Sequence, residues 1–124
     1  MEKKVLNLTV SKEWFDMISD GRKTEEYRVP KKHWIKRLLD ANSDNTDMKT
    51  WAEAVDGRVD IIRQSIRTNF VSFKPYTHVL FINGYRKDSP RIEKEIESIT
   101  IGKPKKGLCP DKWLDKEFFV IKFE

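Results

Sequence analysis

Hydrophobic and polar positions repeat along this chain with two periods, and the switches between them mark its elements. Val5 to Val10 alternates with period two, with Leu6, Leu8 and Val10 sharing a face, which predicts an opening strand. Ser11 to Asp20 then carries Trp14, Phe15, Met17 and Ile18 at helical spacing. Ser11 is placed to cap its start, and Gly21 stands just past its end, where a left-handed C-cap is easiest for glycine. Thr24 to Val29 returns to period two: Thr24, Glu26 and Arg28 fall on one face, Glu25, Tyr27 and Val29 on the other. Tyr27 and Val29 therefore mark the expected core side. Pro30 has no N–H for a ladder and ends the strand.

The middle of the chain reads as helical. Residues 30 to 40, PKKHWIKRLLD, place Trp34, Ile35, Leu38 and Leu39 on one stripe, with Lys31, Lys32, Lys36 and Arg37 on the outer face. Residues 40 to 50 lack periodicity and predict a loop, with Thr46 or Asp47 as the next N-cap. Met48, Trp51, Ala52 and Val55 predict a short helix closed by Gly57. Val59, Ile62 and Ile66 predict another, with Arg63 and Arg67 one turn apart. Strands resume at Phe70 with FVSF, a break at Lys74-Pro75, and THVLFI, whose unbroken apolar run predicts a central strand covered on both faces. Asn83-Gly84 then signals a chain reversal, since both residues tolerate positive φ.

Residues 89 to 102 support two readings. Ile92, Ile96 and Ile99 have helical spacing, whereas a bulge near Glu97-Ser98 would join two alternating halves, out of phase with each other, into one strand. Residues 102 to 117 form a loop with Lys103, Lys105 and Lys106, and Phe118 to Phe123 alternates as a closing strand.

Composition narrows the class. A chain of 124 residues has the length of one domain, and 14 aromatics, 4 of them Trp, argue against disorder although 36% of residues are charged. The net charge of +5 favours polyanionic partners, and equally describes a well-solvated surface. Cys109, the one cysteine, excludes an internal disulfide and a thiolate metal cluster. His33 and His78 have no metal-ligand spacing, so neither metal nor cofactor is expected, and His78 reads as a structural histidine. No stretch approaches the ~20 apolar residues of a membrane helix, and a cytoplasmic location is expected.

The chemistry concentrates in residues 21 to 28, GRKTEEYR, where Gly21, Lys23, Glu26 and Arg28 spell G-x-K-x-x-E-x-R. On this motif the chain resembles the ASCH domains of the PUA-like superfamily. FINGYRKDSP (81 to 90), ESITIGKPKKG (97 to 107) and FFVIKFE (118 to 124) look like the hairpin, late strand and terminal strand of such domains. The resemblance implies an α+β fold over residues 1 to 124: a small PUA-like β-barrel with flanking helices, and with a helical insertion at 41 to 70. It also favours the strand reading of 89 to 102.

Three readings of the motif stand side by side. In the first, Glu26 is held between cations in a structural ion-pair network. In the second, which the resemblance implies, the chain binds RNA or a nucleotide at a charged cleft through Gly21, Lys23, Glu26 and Arg28. Tyr27, Trp34 or Tyr85 would then offer stacking surfaces. In the third the chain is a hydrolase, since similar small ASCH proteins act as amidohydrolases on acetylated cytidine or as ribonucleases. Lys23 and Glu26 would be the catalytic pair and Arg28 the oxyanion partner. The amidohydrolase pattern has threonine where this chain has Glu26, and Thr24 lies two residues early on the same face. A protein-interaction role for residues 46 to 70 is a further alternative, marked by Trp51 if exposed.

Overall fold

Alternation in the first ten residues folds as a strand, β1 (Val5–Thr9), in a computed structural model that describes residues 2–124. Leu6 and Leu8 are buried on either side of an exposed Asn7. The order continues α1 (Lys12–Ser19), β2 (Glu25–Arg28), α2 (Lys32–Leu38), β3 (Leu39–Ala41), α3 (Met48–Ala54), α4 (Val59–Arg67) and β4 (Val71–Phe73). It closes with β5 (His78–Ile82), β6 (Arg91–Gly102), a 3₁₀ turn (Asp111–Trp113) and β7 (Phe118–Phe123). The fold is mixed α+β, with a five-stranded sheet in the order β1-β5-β6-β7-β2 and a two-stranded sheet of β3 and β4. β1 runs parallel to β5, with Leu6 opposite Val79 and Leu8 opposite Phe81, and β5 runs antiparallel to β6.

The chain divides into two compact units and passes between them at Glu26/Tyr27, Lys74/Pro75, Ile99/Thr100 and Val120/Ile121. The first comprises the residues up to Glu26, Pro75–Ile99 and Ile121–Glu124. Its core combines Leu6, Leu8 and Val10, Ile18 of α1, Val79 and Phe81 of β5, and Ile121 and Phe123 of β7, all buried. The rings of Phe81 and Phe123 lie 4.8 Å apart. Asn83 continues the hairpin beyond β5, its backbone N–H donating to Pro90 O at 2.9 Å.

The second unit comprises Tyr27–Lys74 and Thr100–Val120. Here α2 packs on α3, α4 packs on β4, and Leu39 stands opposite Phe73 in the small sheet. Ile35, Leu38, Leu39, Ala52, Ile62 and Val71 are fully buried. A second cluster gathers Tyr27, Cys109, Phe118 and Val120, with Leu108, Trp113 and Leu114 packed against it. Trp113 stacks on Phe118 with ring centroids 4.9 Å apart. The Tyr27 hydroxyl accepts a hydrogen bond from Lys105 N–H at 3.0 Å, which ties the basic loop to β2.

Several expectations change. Val29 is 40% exposed, because β2 ends at Arg28 and Val29 falls beyond the ladder, so only Tyr27 of the expected pair is core. The helix over 30 to 40 stops at Leu38: Leu39 takes φ −122° and ψ 146° and pairs with β4, a tertiary partner that outweighs the helical stripe. β5 alternates between buried and half-buried positions, whereas β7, expected to alternate, is buried at Phe118, Phe119, Val120 and Ile121 in succession. Strand order does not separate the two, since β5 between β1 and β6 is as interior as β7 between β6 and β2; burial of successive β7 residues means that both faces of that strand are covered.

Residues 91 to 102 do form one strand, and the half-buried positions shift from Ile92, Lys94 and Ile96 to Ile99 and Ile101, changing phase at Glu97-Ser98. Asp47 caps α3, its Oδ1 accepting from Lys49 N–H at 3.1 Å.

Candidate functional site

The end of α1 sets the geometry of the motif. Gly21 takes φ +87°, which an L side chain resists, and the chain turns back so that Lys23 N–H donates to Met17 O at 3.0 Å. Asp20 and Arg22 lock the turn from outside: Arg22 Nε donates to Asp20 Oδ2 at 2.7 Å and Arg22 N–H to Oδ1 at 3.1 Å. The side-chain hydrogen bond from Arg22, followed by its backbone N–H, holds the Asp20 carboxyl below the usual range. The same pairing raises the Arg22 guanidinium.

This reversal carries the Lys23 side chain inward. Lys23 is 1% exposed, with Nζ 3.5 Å from Glu26 Oε1 and 4.9 Å from the centre of the Trp14 ring. Trp14, on α1, thus offers its π face to a cation nine positions further on. Lys23, Glu25 and Glu26 are the charged side chains in the buried class among the described residues, and all three come from one four-residue span. A buried lysine loses its hydration and must recover the difference from an opposite charge and a polarisable face, as Glu26 and Trp14 provide here. Thr24 is half-buried, and its carbonyl accepts from Phe123 N–H at 3.0 Å.

The second unit holds Arg28 and Tyr27. The guanidiniums of Arg28 and Arg37 both lie 4.9 Å from the centre of the Trp34 ring, and His33 meets that ring edge-on with centroids 4.9 Å apart. Trp34 is half-buried on α2, while Lys31, Lys32 and Lys36 are exposed. Tyr27 is buried at 3% exposure, so its ring belongs to the core and gives no stacking surface. Immediately after Arg28, the exposed Val29 and Lys31 edge a hollow of about 390 Å³, where Lys103 and Lys116 bring further cations, Asp115 an acid, and Phe118 and Val59 an apolar wall. Glu117, on the same hollow, is paired with Arg63.

The predicted site residues thus separate by environment. Lys23 and Glu26 come together as a buried pair, Arg28 joins an aromatic and a second arginine, and Tyr85 is 94% exposed on the β5–β6 loop. Sequence reasoning assigned Trp14 to the apolar stripe of α1 and Arg37 to a solvated face. The signal for Arg37 was present, since Trp34 and Arg37 are one helical turn apart. Trp14 and Lys23 lie on different elements, and their approach depends on the turn at Gly21.

Thr77 Oγ1 lies 2.8 Å from His78 Nδ1, a hydrogen bond that engages the histidine. Cys109 is buried, with Sγ 3.7 Å from Lys105 O. No cluster of three or more His, Cys, Asp or Glu side chains suited to a metal occurs among the described residues, and none of the described helices is long and apolar enough to cross a membrane. No family model matches the chain, and no curated protein or solved structure matches it.

Proposed function

We propose that this chain is an RNA- or nucleotide-binding domain of the ASCH type, built on a small PUA-like barrel. The observation that carries the reading is the pair of guanidiniums around Trp34, on a helix whose Lys32 and Lys36, with Lys31 just before it, are exposed. A half-buried indole among cations suits single-stranded nucleic acid, because bases stack on aromatic and guanidinium planes while neighbouring cations meet phosphates. The hollow beside Val29 and Lys31 brings three lysines and an apolar wall to the same chain segment, against Asp115 and a Glu117 already paired with Arg63. Lys23 and Glu26 then act as a buried brace that orients the start of β2 rather than as ligand contacts, consistent with 1% exposure of the lysine.

Fluorescence anisotropy with a short single-stranded RNA tests the reading. Wild type is expected to bind at low salt, and Arg28→Ala and Trp34→Ala each to weaken binding by about five- to hundredfold, the scale of 1–3 kcal/mol per stacked base. No wild-type binding at low salt would refute it. A second reading, hydrolysis of an acetylated cytidine-type nucleoside or of RNA, is favoured by the burial of Lys23 beside Glu26, since desolvated acid–base pairs are a feature of catalytic sites. The mass of the recovered RNA, or of an N-acetylated cytidine incubated with the protein, separates the two: binding alone leaves both intact.

A further inference from the structure

The hairpin tip between β5 and β6 presents a tyrosine that the fold does not use. Tyr85 is 94% exposed, whereas the protein's other tyrosines, Tyr27 and Tyr76, are buried and half-buried. Leaving so large a ring in water forfeits the gain of covering it, and a free aromatic of this kind is a contact surface in waiting.

The loop that carries Tyr85 is held in shape. Gly84 takes φ +117°, and a Cβ there would meet Ser89 Oγ at 2.8 Å, so the turn closes tightly around that hydroxyl. Ser89 Oγ accepts from Arg86 N–H at 2.9 Å, Ser89 N–H donates to Arg86 O at 3.2 Å, and Asn83 Nδ2 donates to Val10 O at 3.0 Å. A ring mounted on a pre-set loop loses little entropy when a partner covers it.

The charge around the ring selects the partner. Arg86 and Lys87 follow Tyr85 directly and are exposed, and exposed Arg91 opens β6, against Asp88 as the acid of the segment. Three cations to one anion on the segment that carries an exposed ring favour a chain that alternates planar, stackable groups with negative charge, as unpaired nucleic acid does. We propose that this hairpin tip is a second contact for single-stranded RNA, in which Tyr85 stacks on one unpaired base while Arg86 and Lys87 meet the adjoining phosphates. The proposal rests on the RNA-binding reading above and adds a place and a mode of contact to it.

Because the Tyr85 side chain lies in solvent, its removal leaves folding intact, and the test is clean. With a short labelled single-stranded RNA, Tyr85→Ala is expected to weaken binding about five- to hundredfold, the equivalent of losing one stacked base, and Tyr85→Phe to bind as wild type does. The dependence of affinity on salt should be unchanged in Tyr85→Ala, since no phosphate contact is lost. In Arg86→Ala its slope should fall by about 0.7.

An RNA abasic throughout should bind wild type and Tyr85→Ala equally. If Tyr85→Ala binds within about twofold of wild type while Arg28→Ala loses binding, the hairpin contact is wrong and the RNA-binding reading survives, since the expected stacking loss exceeds that margin. If Tyr85→Ala loses binding while Arg28→Ala keeps it, the hairpin contact stands and the surface around Trp34 is displaced. Absence of binding by wild type overturns both.

Discussion

Lys23 is a cation with 1% of its surface in water, and its neighbours explain how the fold tolerates it. Glu26 at 3.5 Å supplies the opposite charge and Trp14 a π face, both of them low-dielectric partners whose attraction is little screened. Removing the cation leaves a buried carboxylate deprived of one partner, so Lys23→Met is expected to cost about 3–5 kcal/mol in chemical unfolding, even though the methionine keeps the packing on Trp14. Combining it with Glu26→Met should cost less than the sum of the single changes by about 1–3 kcal/mol, the coupling of two groups in direct contact. Additive costs in that cycle would show that the two charges are independent and that the pair is no brace. Val29 makes the opposite point at one position: strand alternation assigned it to the core, and termination of the ladder at Arg28 left it 40% exposed.

Among the elements, α3 has a start that titrates. Asp47 Oδ2 accepts from Thr50 Oγ1 at 2.7 Å, and its Oδ1 from Lys49 N–H at 3.1 Å. The Thr50 hydroxyl first and the Lys49 amide second hold this carboxyl below its usual range. A carboxyl depressed in the folded state stabilises the fold above its unfolded pKa, about 3.9, and that contribution fades as pH falls through the lower folded value. Asp47→Asn keeps an oxygen for the cap but no charge. Its melting temperature should therefore sit a few degrees below wild type at neutral pH and converge with it below about pH 4. A gap that stays constant with pH would show that charge plays no part in the cap.

Caps and turns were the legible elements, because Asp47, Gly57 and Asn83-Gly84 act through local backbone chemistry that their own residues dictate. The phase change at Glu97-Ser98 was visible in the isoleucines only once the segment is taken as a strand, since the same residues also have helical spacing. What could not be read was which strand faces are covered. β5 and β7 are both apolar runs inside the sheet, and only the packing of other elements over each face leaves β5 alternating and β7 buried at successive positions. Leu39 likewise looks helical until β4 is there to pair with it. In the candidate site the motif was visible as spacing, whereas burial of Lys23 against Trp14 required the chain reversal at Gly21.

For the whole molecule, the balance of 25 basic to 20 acidic residues, net +5, is modest, so nucleic-acid affinity must come from where the cations stand rather than from their number. Several acids are already engaged: Glu93 is held below its usual range first by its hydrogen bond from Lys3, and Glu117 is paired with Arg63. Lys32 and Lys36 by contrast are exposed on α2, beside Trp34 in sequence.

If Lys31, Lys32 and Lys36 meet phosphates together with Arg86 and Lys87 of the hairpin tip, each releases its share of counterions from a single strand, and log K should fall with log salt at a slope of about −3.5. Raising salt from about 50 to 200 mM would then weaken binding by roughly a hundredfold, and Lys32→Ala with Lys36→Ala should flatten the slope to about −2. Because both lysines are exposed, the double variant should melt as wild type does, which separates a lost contact from a lost fold. A slope near zero in the wild type would mean that binding, where it occurs, recognises a neutral nucleoside. The hydrolase reading would then take precedence, because a pocket that ignores phosphate is built for the base and its substituent.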